Sequence, residues 1–106
     1  MINYYFAAAS KKFLVTEEPT EEILRERTQY YLNNNKAIDF WIVDNPKFLQ
    51  KKEFLEFASK IPKPLTVIIS TDKRFIDWIK LRIVYVKTGN ISIPPYQEND
   101  LLNSNN

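Results

Sequence analysis

Six consecutive residues, Ile38-Asp39-Phe40-Trp41-Ile42-Val43, constrain the fold more than any other stretch of this chain. Successive side chains of a strand point to opposite faces. Ile38, Phe40 and Ile42 therefore share one face, and Trp41 and Val43 the other. A strand that is apolar on both sides reads as a central strand with helices covering each face. Residues 65–69, short, apolar and rich in β-branched side chains, read as a second central strand. Residues 4–9, aromatic and then small, read as the first strand of the chain.

Helical signals fall between these runs. Thr20 followed by Glu21 and Glu22 reads as an N-cap with acids at the positive end of a helix dipole. That helix runs to about residue 32 and is closed by Asn33-Asn34-Asn35. Its inward stripe is thin: Ile23, Leu24, Tyr30 and Tyr31, with Arg25 and Arg27 between them. Asn45-Pro46 opens a second helix, with proline at the first helical position, extending to about residue 59. Phe54, Phe57, Ala58 and Ile61 form its core stripe, and Pro62 and Pro64 end it. Ser70-Thr71-Asp72 supplies the cap of a last helix over residues 73–87, which stops before Gly89. Residues 10–15 are open between a helical turn and a continued strand. Strand direction is open too, since the first strand and an edge segment at residues 91–93 can run antiparallel.

Strand–helix alternation of this kind predicts an α/β domain, with α+β as the alternative. The expected architecture is a sheet of three to four strands with helices on both faces. One globular unit spans residues 1–93, and the polar, Asn-rich residues 94–106 are expected to be a disordered tail. At 106 residues the chain suffices for one modest core.

Composition narrows the chemistry. The chain has no Cys and no His. A thiol nucleophile, an imidazole base and a zinc site built on either residue are thereby excluded. The single glycine, Gly89, rules out glycine-rich phosphate cradles. Carboxylates, Lys, Tyr and Ser remain, and no motif organises them, so neither an enzyme nor a bound cofactor is expected. A net charge of +2 from scattered basic residues gives no nucleic-acid footprint. No run reaches the roughly 18 apolar residues of a membrane span, and residues 3–9 read as a strand, not as a leader peptide.

Two residues do not fit a plain core. On a helical wheel Arg82 falls in the middle of the apolar arc of the last helix, opposite Lys73, Asp77, Lys80 and Lys87. A guanidinium cannot shed its charge, so it needs a partner or water. Asp39 is a carboxylate at the entrance of an otherwise apolar strand. Three readings stay open: an internal Asp39–Arg82 pair, a partner-docking patch with Phe40 or Trp41 beside them, and a catalytic role. The aromatic pairs Tyr4-Tyr5 and Tyr30-Tyr31 read as core and core edge, not as a stacking platform for bases.

Further residues carry a resemblance. Tyr4-Tyr5, Ala9-Ser10, Lys12-Phe13-Leu14, Glu17-Glu18-Pro19 and Glu21-Glu22 are followed by Ile38-Asp39-Phe40-Trp41, Pro46, Phe48-Leu49 and Ser70-Thr71. Phe75-Ile76, Trp78, Lys80-Leu81-Arg82, Tyr85-Val86 and Thr88-Gly89 complete the series. Together they resemble the family called hypothetical chloroplast reading frame 54, found in cyanobacteria, algae and plants. The resemblance implies an accessory factor without chemistry of its own, which binds the catalytic diiron subunit of the oxygen-dependent magnesium-protoporphyrin IX monomethyl ester cyclase of chlorophyll synthesis. It implies that Asp39, Phe40 and Arg82 hold that subunit. It further implies a place in the chloroplast, from a plastid gene, or in the cyanobacterial cytoplasm, peripheral to thylakoids through the partner at most. A small tetrapyrrole carrier is the alternative function.

Overall fold

The computed structural model describes residues 1–17, 20–35, 39–83 and 85–103. Four strands, β1 (Ile2–Ser10), β2 (Phe40–Asp44), β3 (Leu65–Ser70) and β4 (Lys87–Ile93), form one sheet in the order β2-β3-β1-β4. Every neighbouring pair is antiparallel. The α-helices are α1 (Thr20–Asn33), α2 (Leu55–Ser59), α3 (Lys73–Arg82) and α4 (Glu98–Leu102). The sheet with helices on both faces is the expected architecture.

Period-two alternation in β1 and β3 divides the core into two layers. Tyr4, Phe6, Ala8, Val67 and Ile69 face Phe48, Leu49, Ala58 and Ile61. Ala7, Ala9 and Ile68 face Ile23, Leu24, Phe75, Ile76 and Ile79 from α1 and α3. β3 is buried along its whole length, as its continuous apolar run requires. Phe6 is the hub of the first layer, with ring centroids of Phe48, Phe57 and Phe54 at 5.0, 5.5 and 5.7 Å.

Several expectations are corrected. β2 is an edge strand, not a central one, and Trp41 and Ile42 are 43% and 53% exposed. An apolar pattern on two faces reports which layers a strand serves; it carries no information on whether a second neighbour pairs with it. Ile38, expected in this strand, lies outside the described residues. The second helix is broken into two 3₁₀ turns, Lys47–Gln50 and Lys52–Phe54, before the short α2. Lys51 between them is extended, which lets Phe48, Leu49, Phe54 and Phe57 all reach one core layer. The last helix ends at Arg82, and residues 87–93 are strand β4. The edge of β1 takes up this stretch by antiparallel pairing, a long-range contact that local helical spacing does not report. Of residues 10–15, Ser10 ends β1, and residues 11–12 are helical and lead into a π-helical turn, Phe13–Glu17. Thr20 is the first residue of α1, and its buried hydroxyl has no hydrogen-bond partner among the described residues. Asp72, by contrast, caps α3 as expected, its carboxylate accepting from the Arg74 amide at 2.9 Å.

Residues 94–103, expected in a polar tail, carry a 3₁₀ turn and α4. Leu102 packs on the first core layer, and the Tyr4 hydroxyl donates to Glu98.

Gly89 does not end a helix; it sits in β4 opposite Phe6. A Cβ there would lie 2.7 Å from Cζ of the fully buried Phe6 ring. Gly89→Ala is expected to destabilise the fold by about 1–3 kcal/mol through overpacking, which urea denaturation measures.

Candidate partner-docking site

The site begins where the chain enters β2. The Asp39 carbonyl accepts from the Thr71 amide at 3.3 Å, which ties this corner to the start of α3. The Asp39 carboxylate accepts from the hydroxyl of Tyr31 on α1. The Phe40 ring lies 6.1 Å from Tyr31 and 5.1 Å from Phe75, centroid to centroid. Phe75 stacks on Trp78 at 6.1 Å, and the Arg82 guanidinium lies 5.2 Å over the Trp78 ring. Residues 75, 78 and 82 are spaced by three and four, so α3 carries them on one face.

Asp39 and Arg82 are thus not an ion pair, and no such bridge joins them among the described residues. They lie toward opposite ends of a ladder that runs Asp39, Phe40, Phe75, Trp78, Arg82. Arg82 and its neighbour Leu81 are exposed, and Phe40 and Trp78 are half-buried. Arg82 reaches water because α3 ends there, and a cation at a helix C-terminus is favoured by the helix dipole.

The arginine that is buried among aromatic rings is Arg27. Its guanidinium lies 4.7 Å from the ring of Tyr31, 4.9 Å from Phe75 and 5.3 Å from Tyr30. It pairs with Asp72 at 3.1 Å, with side chains only 22% and 33% exposed. This residue underpins the ladder from behind and joins α1 to the cap of α3. The signal for it was present in the sequence, since Arg27, Tyr30 and Tyr31 are three and four apart on one helix face.

Burial of Tyr31, together with its bond to the Asp39 carboxylate, pushes its hydroxyl up to about 12, against the opposing pull of Arg27. A tyrosine whose folded value exceeds its ordinary 10.0 contributes stability that is complete below pH 10. That contribution is lost as pH rises through the folded value. The wild-type chain should therefore lose stability more steeply than Tyr31→Phe between pH 10 and 12, as denaturant melts across that range would show. Tyr4, also pushed up by burial and by Glu98, is common to both proteins.

Among the described residues no cluster of three or more His, Cys, Asp or Glu could hold a metal ion. No described helix is long and apolar enough to cross a membrane.

Residues 2–93 match the family model described as Ycf54 protein. The chain belongs to the Ycf54 family. One relative in the family, the uncharacterized protein ycf54 of Pyropia yezoensis, is 54% identical over 89 residues, 84% of this chain and 80% of the relative. The chloroplastic protein YCF54 of Arabidopsis thaliana is 35% identical over 81 residues, 76% of this chain and 37% of that longer protein. The solved structure of the Ycf54 protein from Synechocystis sp. PCC6803 is 46% identical, with a TM-score of 0.89, covering 100% of this chain and 99% of the other. The family thus spans red algal, plant and cyanobacterial proteins.

Proposed function

We propose that this chain is a non-catalytic accessory protein that docks the catalytic diiron subunit of the oxygen-dependent magnesium-protoporphyrin IX monomethyl ester cyclase. Its place is then at the thylakoid surface, held there through that subunit, in a plastid or a cyanobacterial cell. The observation that carries this reading is the ladder that links Asp39, Phe40 and Arg82 across β2 and α3. An arginine stacked on a tryptophan, beside half-buried aromatic rings, is the composition of an interface anchor. The resemblance assigns the same three residues to holding the catalytic subunit. A chain without His also lacks the histidine ligands of a diiron centre, which agrees with an accessory role.

The test is capture of the cyclase subunit from photosynthetic membranes by the tagged chain. Arg82→Ala is expected to weaken the complex by about 2 kcal/mol, roughly 30-fold. Normal capture by a folded Arg82→Ala protein would refute the assignment.

A further inference from the structure

We infer that the outer edge of β2, with the groove beside it, receives an extended apolar segment of a partner, flanked by basic residues, as a fifth strand of the sheet. The inference rests on the docking reading above and specifies its mode.

Hydrogen bonding shows which backbone groups are free. The Thr71 amide donates to the Asp39 carbonyl and the Asn45 amide to the Leu65 carbonyl. Both pairs are in the register of β2 with β3, in which Phe40 faces Ser70 and Asp44 faces Thr66. Hydrogen-bonded and non-bonded pairs alternate in an antiparallel ladder. Residues 39, 41, 43 and 45 therefore turn their backbone groups toward β3. Phe40, Ile42 and Asp44 turn theirs outward, where no strand pairs with them among the described residues. Exposed edges are ordinarily blunted by Lys, Pro or a bulge. The other edge, β4, opens with Lys87 and exposes polar Asn90 and Ser92. β2 presents Phe-Trp-Ile-Val instead.

Beside this edge lies a groove of about 320 Å³. Phe40, Ile42 and Ile68 line it from the sheet, and Leu14, Leu24 and Thr20 from the turn and helix above. Thr66 and Glu21 also line it. Thr20 is 7% exposed and its hydroxyl has no partner among the described residues, which leaves a buried polar atom on a mostly apolar wall. Alternate side chains of an added strand would enter this groove while its backbone paired with β2.

Charge selects the occupant. Asp39 precedes β2 and Asp44 ends it. Lys11 holds Asp44 at 2.9 Å, whereas no cation pairs with Asp39 among the described residues. A second copy of this chain, paired antiparallel about Ile42, would set Asp39 of each copy opposite Asn45 of the other, with no cationic residue of β2 to meet that carboxylate. A foreign strand ending in Lys or Arg meets that carboxylate favourably.

The test is a nuclear magnetic resonance titration of the full chain with a capped peptide of alternating valine and threonine, closed by a lysine at each end. The Phe40, Ile42 and Asp44 amides are expected to shift and to exchange more slowly. The same peptide ending in glutamate should bind at least about tenfold more weakly, and a version N-methylated on its pairing edge should not bind. Unmoved β2 amides, equal binding of the glutamate peptide, a response at β4 instead, or self-association of the chain would each overturn the proposal. Ile42→Pro deletes one outward N–H and leaves the β3 ladder intact, so it should abolish peptide binding. Should that variant not fold, the N-methylated peptide decides the same point. Undiminished capture of the cyclase subunit by folded Ile42→Pro would sink strand addition and leave the docking reading standing. Failure of the wild-type chain to capture that subunit would sink the docking reading, while the peptide result would stand.

Discussion

Alanine at position 6 is expected to cost the fold about 3–5 kcal/mol and to lower its melting temperature by more than about 12 °C. Phe6 is wholly buried on β1, a central strand flanked by β3 and β4. Its ring is enclosed by Phe48, Phe54 and Phe57 above and by Gly89 below. Removing it leaves a hole whose floor is strand backbone and cannot collapse. The loss approaches the whole stability of a small domain, commonly about 5–15 kcal/mol. Urea denaturation of the wild-type and Phe6→Ala chains measures it directly. A loss below about 1 kcal/mol would mean that the turns carrying Phe48 and Phe54 move inward to fill the space, and that they are not fixed by this ring. Gly89→Ala probes the same contact from the opposite side, by adding volume instead of removing it.

The sheet was legible because periodicity is a property of neighbouring residues. Residues 65–69 are apolar on both faces and the strand they form is buried on both. Residues 38–43 have a similar pattern, yet β2 lies at an edge, because pairing is a long-range choice that neither face of a strand records. The broken helix after Pro46 has a related cause. Phe54, Phe57, Ala58 and Ile61 satisfied helical spacing, but Phe48 and Leu49 had to reach the same layer, and one straight helix could not deliver all six. Residues 83–88 show tertiary structure overriding local pattern. Their apolar residues suited a continued helix, but β1 offered an unpaired edge, and Gly89 gave the Phe6 ring a place to lie. At the site, Asp39 and Arg82 stood out in the sequence as charges in apolar settings, yet Arg82 is exposed in the structure and the arginine enclosed by rings is Arg27. The relation of Asp39 to Arg82 was not legible, since an internal pair and two points on one surface leave the same mark in sequence. Three intervening rings, on different elements, separate the two outcomes.

The division of labour between Arg27 and Arg82 gives the second large effect. Arg27→Ala is expected to destabilise the chain by about 2–3 kcal/mol, because it removes a partly desolvated cation from three ring faces and deprives Asp72 of its ion pair. Asp72 keeps the Arg74 amide, so the cap of α3 survives and the loss stays below that of a fully orphaned buried charge. Arg27→Lys restores the charge but cannot lie flat on Tyr31 and Phe75, and should recover only part of the stability. Arg82→Ala removes an exposed side chain with one ring contact among the described residues and should change stability by no more than about 0.5 kcal/mol. Thermal melts of the three variants, run beside capture of the cyclase subunit, separate the roles. A stable Arg82→Ala chain that fails to capture, with an Arg27→Ala chain that melts early, assigns the surface to Arg82 and its support to Arg27. The reverse ordering of melting temperatures would make Arg82 the buried arginine after all, and the ladder from Phe40 to Trp78 would then belong to the core and not to a docking face.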